Sequence, residues 1–213
     1  MTEYIPPQTP LSVVHHDHEL LVVDKPAGLL SVPGRGPELA DCLITRIQDE
    51  YPTALLVHRL DRDTSGVMVF ALSKHAQRHL GLQFEKRRVK KTYVARVSGV
   101  MDADSGTVDL PMIVDWPNRP RQMICHETGK PALTDWKVIN RSQGETRVKL
   151  SPHTGRSHQL RVHMLALGHP ILGDPFYGDE GDVQPRMMLH SHKVRLRHPD
   201  GGEHLEFRAK LPF

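Results

Sequence analysis

His58-Arg59-Leu60-Asp61-Arg62-Asp63-Thr64-Ser65-Gly66 places a carboxylate between two guanidinium groups, beside a Thr-Ser-Gly turn and ahead of the apolar run Val67 to Leu72. An arginine within about 4–6 Å lowers an aspartate's pKa by roughly 1–3, so this spacing predicts an ionised, nucleophilic Asp61 at neutral pH. The same residues also fit a surface turn in which Asp61 and Asp63 pair with Arg59 and Arg62. For an arbitrary sequence that plainer reading carries the greater weight, because most charge clusters are structural or solvated.

Charge is unevenly spread. Residues 1–50 hold three basic and eight acidic side chains, whereas residues 51–100 hold ten basic and three acidic, within a net charge of +3. The basic excess therefore lies in the block that contains Asp61. Its densest run is Lys86-Arg87-Arg88-Val89-Lys90-Lys91. A localised basic patch beside reactive residues suggests a polyanionic substrate, with Lys86, Arg87 and Lys90 as phosphate contacts. Cations favouring the negative pole of a helix end would produce the same run.

The fifteen histidines raise the question of a metal, above all His15-His16-Asp17-His18 and His190-Ser191-His192. Zinc sites need three or four converging ligands at recognisable spacing. His158 and His163 do not match a His-Glu-x-x-His helix pair, and Cys42 and Cys125 form no Cys-x-x-Cys. Neither a metal nor a cofactor is expected, and most histidines are assigned to the surface or to the face that meets the polyanion. The His-Arg-Leu-Asp string also occurs in kinase catalytic loops, but no Asp-Phe-Gly or glycine-rich nucleotide loop accompanies it. Two cysteines suit a reducing compartment. The longest apolar stretch, Val67 to Leu72, is far short of the ~20 residues of a membrane helix. With no signal-peptide pattern at the amino terminus, the protein is expected in the cytoplasm, without membrane contact.

Taken whole, the Asp61 string resembles the signature of the RluA family of pseudouridine synthases. Three further segments resemble that family in its order: Lys25-Pro26-Ala27-Gly28-Leu29-Leu30-Ser31-Val32-Pro33-Gly34-Arg35, Lys91-Thr92-Tyr93-Val94-Ala95, and Gly155-Arg156-Ser157-His158-Gln159-Leu160-Arg161-Val162-His163-Met164, with Asp115 to Pro120 and Glu127 to Ala132 similar to its small members that lack an accessory domain. The resemblance implies that specific uridines in structured RNA are isomerised, in a 23S rRNA hairpin and the anticodon stem-loop of certain tRNAs. The enzyme would be a monomer with no obligate protein partner.

That chemistry breaks the C1′–N1 bond, turns the uracil over and rejoins it through C5, with no redox or phosphate step. A single carboxylate could attack covalently or remove a sugar proton. Hydrolytic glycosidases usually use two carboxylates, and Asp63 is the only local candidate for a second. The resemblance makes Asp61 the catalytic residue and pairs it with Arg161. Arg161 shares a helical face with His158 and Leu165 by spacing; composition alone would make it an exposed arginine. Tyr93 offers a face for stacking on the flipped base, and the resemblance adds a possible role as proton carrier at C5. Otherwise a strand tyrosine is usually core. Arg59, pointing opposite to Leu60, would help displace the nucleotide, and Arg156 and His158 are further phosphate candidates. A non-catalytic RNA-binding module and a glycoside or nucleoside hydrolase are the competing function classes.

The elements that must position these residues can be read from periodicity. Glu19–Asp24 reads as a strand, followed by a Gly/Pro-rich loop to Pro37. Asp41–Tyr51 reads as a helix capped by Asp41 with Leu43, Ile44 and Ile47 inward. Val67–Leu72 is a buried strand. Ser73 caps a helix to about Arg88 with an Ala76, Leu80, Phe84 stripe, and Thr92–Val97 is a strand. Ala132–Ile139 and Thr146–Leu150 are strands. Ser157 caps a helix through Leu167 with Gly168 at C′, and a hairpin closes the chain from Val194. The class is α+β with a largely antiparallel sheet; the resemblance adds a long, bent, mixed sheet with an RNA cleft across its middle. Residues 1–10 are expected to be a flexible leader and 11–213 a single catalytic domain with no S4-type RNA-binding domain.

Overall fold

A computed structural model describes residues 4–213. The chain forms two compact units, one made by the chain up to Lys91 together with His190–Pro212, the other by Thr92–Leu189 with Phe213. Chain order begins with β1 (Val13–His16), β2 (Leu20–Lys25), α1 (Leu43–Glu50), β3 (Leu55–Leu56), β4 (Ser65–Ala71) and α2 (Lys74–Glu85). It passes to the second unit inside β5 (Lys90–Ser98), and continues through β6 (Ser105–Asp109), β7 (Met112–Val114), β8 (Gln122–Ile124), β9 (Leu133–Ser142), β10 (Glu145–Pro152) and α3 (Gln159–Ala166). It returns inside β11 (Leu189–Arg197) and ends with β12 (His204–Arg208). No linker marks either passage. The fold is α+β, a mixed and mostly antiparallel strand arrangement with three α-helices among the described residues.

In the first unit β2 pairs antiparallel with β4 from Leu20↔Ala71 to Lys25↔Gly66, and β4 pairs parallel with β11 at His190↔Ser65 and Ser191↔Gly66. All seven residues of β4 are buried, which explains why its sequence is a continuous apolar run rather than an alternating one. Leu20, Val22, Val67 and Val69 face Ala76, Leu80 and Phe84 of α2, the stripe expected from spacing four. Ser73 caps α2, its Oγ accepting from Ala76 N at 3.0 Å. The helix stops at Glu85, three residues sooner than its sequence suggests. Arg87 adopts a left-handed φ of 56°, and Arg88 N–H reaches back to Gln83 O at 2.8 Å in a Schellman turn. At α1, Asp41 is not the cap. Cys42 occupies that position, and the Asp41 carboxylate accepts two hydrogen bonds of 2.7 Å from Arg46 instead.

The second unit is a four-strand antiparallel run, β5-β10-β9-β6, with α3 against it. Tyr93, Ala95 and Val97 share one face of β5 and pack with Val148, Leu150, Leu160 and Met164. β7 and β8 form a separate hairpin through Met112↔Ile124 and Val114↔Gln122. Short strands such as these, and β6, give too few alternating positions to be read from sequence. Gly168, with φ of 78°, ends α3 as expected. Ser157 does not begin it: the residue before the helix is His158, itself left-handed at φ 54°.

Candidate active site

Asp61 lies in a loop with no regular structure, so its position depends on how the loop is tied. The ties come from the Lys25–Gly34 segment. Lys25 is fully buried, and its ammonium donates to Pro26 O at 2.9 Å, Leu29 O at 2.6 Å and Arg62 O at 2.8 Å. Gly28 N–H also donates to Arg62 O, at 3.0 Å. Ser31 Oγ donates to Leu60 O at 2.7 Å and accepts from Leu60 N at 3.2 Å. Leu60 and Arg62, the residues on either side of Asp61, are thus both held through their main-chain carbonyls.

His58 fixes the other end of the loop. Its ring stacks on Phe84, with centroids 4.7 Å apart, and Nε2 accepts from Val69 N at 2.9 Å. Burial, with the nearby Lys91 charge, pushes its pKa down to about 3, so the imidazole is neutral with its proton on Nδ1. Gly66 follows with φ of 111°, where a Cβ would come within 2.3 Å of Ser191 O. Only glycine lets β4 approach β11 this closely. Arg59 is exposed and Leu60 buried, the opposite orientations expected of them. The Arg62 guanidinium pairs with Asp63 at 3.0 and 3.2 Å, a pairing that the surface-turn reading contained.

Tyr93 and Arg161 belong to the second unit. Tyr93 is half-buried on β5 opposite Leu150. Arg161 is only 2% exposed, which overturns the exposed-arginine reading. Leu165, one turn further on, is 41% exposed. The first six residues of α3 are buried on every side, so helical spacing does not sort them into inner and outer faces. The guanidinium makes a two-pronged ion pair with Asp174, Nε to Oδ2 at 2.6 Å and Nη2 to Oδ1 at 2.7 Å, and the Asp174 side chain is fully enclosed. Asp174 Oδ1 also accepts from Phe176 N and Tyr177 N. The Arg161 guanidinium lies 5.3 Å from the Phe176 ring and 5.0 Å from the Tyr177 ring. Tyr177 hydroxyl in turn shares a 2.8 Å hydrogen bond with His158 Nδ1 and accepts from Gln122 N at 2.7 Å.

One residue after His158, buried Gln159 organises the turn before α3. Its Oε1 accepts from Thr154 Oγ1 and Arg156 N, and its Nε2 donates to Leu133 O and Thr134 Oγ1. Arg156 itself is half-buried, with Nε on Pro131 O at 3.1 Å, and His158 is committed to Tyr177. Asp174, Tyr177 and Gln159 were not recognisable as site residues from spacing. The signal that could have found Asp174 is a lone acid in the apolar stretch Ile171 to Tyr177, which must meet a cation if it is buried.

In the basic run, Lys86, Arg87, Arg88 and Lys90 are exposed, while Val89 is buried. Lys91 differs: burial lowers its pKa. The histidines are less solvated than expected. His163 and His190 are buried, His163 on Thr134 Oγ1 and Leu110 O, His190 on Ser65 Oγ, while His15 and His198 flank Asp17. No group of three or more His, Cys, Asp or Glu among the described residues is placed to hold a metal ion. No helix among them is long and apolar enough to cross a membrane. Residues 4–10 are also more tethered than a flexible leader. Tyr4 hydroxyl donates to Asp41 O at 2.9 Å and accepts from Leu30 N, and Pro7 O accepts from Arg46. Met1–Glu3 lie outside the described residues.

Residues 19–166 match the family model described as RNA pseudouridylate synthase. The chain is 54% identical over 204 residues to the dual-specificity RNA pseudouridine synthase RluA of Yersinia pestis, covering 94% of this chain and 99% of that one. The protein of that name from Escherichia coli K12 is 54% identical over 217 residues, covering 100% and 99%. Among solved structures, human RNA pseudouridylate synthase domain containing 1 superposes with a TM-score of 0.82 at 32% identity, covering 98% of this chain and 87% of that one. Human RNA pseudouridylate synthase domain containing 4 gives 0.76 at 26%, covering 94% and 88%. A rigidly tied Asp61 loop, a buried Arg161 and whole-chain identity above one half agree, and the chain belongs to the RluA-type RNA pseudouridine synthases.

Proposed function

We propose that the protein isomerises uridines in a 23S rRNA hairpin and in the anticodon stem-loop of certain tRNAs, acting in the cytoplasm as a monomer. The observation that carries this reading is identity of 54% across essentially the full length of relatives named as dual-specificity enzymes. Asp61 acts at the glycosidic bond. The C1′–N1 bond breaks, the C1′–C5 bond forms, and C5 loses the proton while N1 gains one, so no electron donor or metal is required. Arg161 keeps the catalytic carboxylate ionised, and Tyr93 stacks on the turned uracil. Arg59 displaces the nucleotide, and Arg156 and His158 lie on the side that receives the phosphates. Exposure of Lys86, Arg87 and Lys90 supports their role as phosphate contacts.

Replacing Asp61 with Asn or Ala tests the assignment directly. Pseudouridine in a synthetic anticodon stem-loop and in a 23S hairpin should fall to background, with RNA affinity and the unfolding midpoint near those of the parent, since phosphate contacts dominate affinity. Product formation by the Ala variant would refute the role of Asp61. Neutralising Lys86, Arg87 and Lys90 together should reduce the slope of log affinity against log salt by about 2–3 without changing which uridine is modified.

A further inference from the structure

The tip of the β7–β8 hairpin exposes an aromatic residue and holds it rigidly. Trp116 is 64% exposed, whereas the other tryptophan, Trp136, is buried. The tip is cross-braced at close spacing. Asp115 N donates to Arg121 O, Asn118 N to Asp115 O and Arg121 N to Asn118 O, each at 3.0 Å. Asn118 Nδ2 donates to the Asp115 carboxylate at 2.9 Å, and Arg119 Nε donates to Trp116 O at 3.1 Å. The Arg119 guanidinium lies over the indole, 3.9 Å from its centroid. The base of the hairpin is anchored through Gln122 N to Tyr177, the residue that also touches His158 and the Arg161 guanidinium. Arg121 lies over the Tyr177 ring at 5.3 Å.

A large apolar side chain left in water is normally mobile or covered. Here five short-range hydrogen bonds brace the tip that carries it, and the Arg119 guanidinium stacks on the indole itself. Two arginines accompany it, and the single local carboxylate, Asp115, is engaged by Asn118. Planar aromatic surface with cations in the same element matches an unpaired nucleobase and its phosphate, whose π-face and charge complement both groups.

We propose that Trp116 and Arg119 form a stacking platform for an unpaired base of the RNA substrate other than the target uridine. This rests on the reading that the protein acts on structured RNA. It supplies what the low aromatic content otherwise denies the chain, a fixed surface that reads an opened loop.

Trp116 emission provides the test, because Trp136 is shielded. Titration with a synthetic anticodon stem-loop should quench it, and the fully paired stem alone should quench it much less. Trp116→Ala should weaken stem-loop binding by about 5- to 150-fold, the equivalent of about 1–3 kcal/mol of base stacking. Turnover at saturating RNA should stay within about twofold, with Trp116→Phe intermediate in affinity. Unchanged affinity in Trp116→Ala, equal quenching by stem and stem-loop, or a change confined to self-association in sedimentation would each overturn the platform. If the parent enzyme makes no pseudouridine in any RNA, yet the stem-loop quenches Trp116 and the Ala variant loses affinity, the proposed reaction fails and the platform stands. If pseudouridine forms normally but Trp116 is indifferent to RNA, the reverse holds.

Discussion

The loop of Asp61 and the helix of Arg161 each fix a charged group, but with different materials. Around Asp61 it is the main chain that is held: the Lys25 and Ser31 side chains grip the carbonyls of Arg62 and Leu60, and Gly28 adds a backbone N–H. Around Arg161 it is the side chain that is held, with Asp174 taking the guanidinium in a two-pronged pair and Tyr177 and Gln159 bracing the approach. A loop held by its backbone is positioned without using the reactive side chain as the tether. A buried cation cannot be treated that way, because an ionised group in an apolar interior needs a counter-charge. The difference teaches that the two regions should fail differently when cut.

The largest effect is expected at the ion pair. Asp174→Leu removes the two-pronged partner of a buried guanidinium and should lower unfolding free energy by about 3–5 kcal/mol in urea titration, with turnover lost. Adding Arg161→Met removes the buried charge and should restore most of that stability, while activity stays absent. A double variant as unstable as the single one would show that the pair does not behave as a unit.

Lys25→Met probes the other mode of support. Each buried carbonyl deprived of its donor costs about 1–3 kcal/mol, so a loss of about 3 kcal/mol is expected, together with a drop in kcat at nearly constant affinity for RNA. Were the stability lost and kcat preserved, the grip on Leu29 and Arg62 would matter for folding alone.

Tyr93 separates stacking from proton handling. Phe should keep the stacking contribution, about 1–3 kcal/mol, and Leu should lose it. A Phe variant that binds RNA and stalls before product assigns the hydroxyl to proton transfer. Equal activity in Phe and Leu would return Tyr93 to the core alongside Leu150.

The smallest effect concerns His58. Its folded pKa of about 3 lies below the unfolded value near 6.5, so between these limits the unfolded chain binds the extra proton. Stability from this site is complete above about pH 6.5 and declines as pH falls toward 3, by at most about 1.4 kcal/mol per pH unit. The stability gap between parent and His58→Gln should therefore narrow by about 1–2 kcal/mol from pH 7 to pH 5. A constant gap would mean that the ring on Phe84 is solvated.

How much was legible depends on distance along the chain. β2, β4, the α2 stripe and the closing hairpin follow from local periodicity, and all appear where the pattern puts them. The Asp61 string was legible because its parts are contiguous. The Arg62–Asp63 pair was legible in the same way, since neighbouring residues of opposite charge are within reach of one another. The left-handed residues Arg87 and His158 ended one helix early and delayed another, and neither is a glycine that would announce the turn.

By itself the amino-acid sequence determined the α+β class, the strands and helices whose apolar period is long enough to read, and the candidate reactive groups Asp61, Tyr93 and Arg161. Only tertiary structure decided that Arg161 is buried against Asp174, that Lys25 is a staple rather than a surface cation, and that Trp116 stands exposed over Arg119. The reason is physical. Hydrophobic period acts between residues three or four apart along a helix or two apart along a strand, whereas the partner of a buried charge is chosen by desolvation among groups the chain brings together from afar.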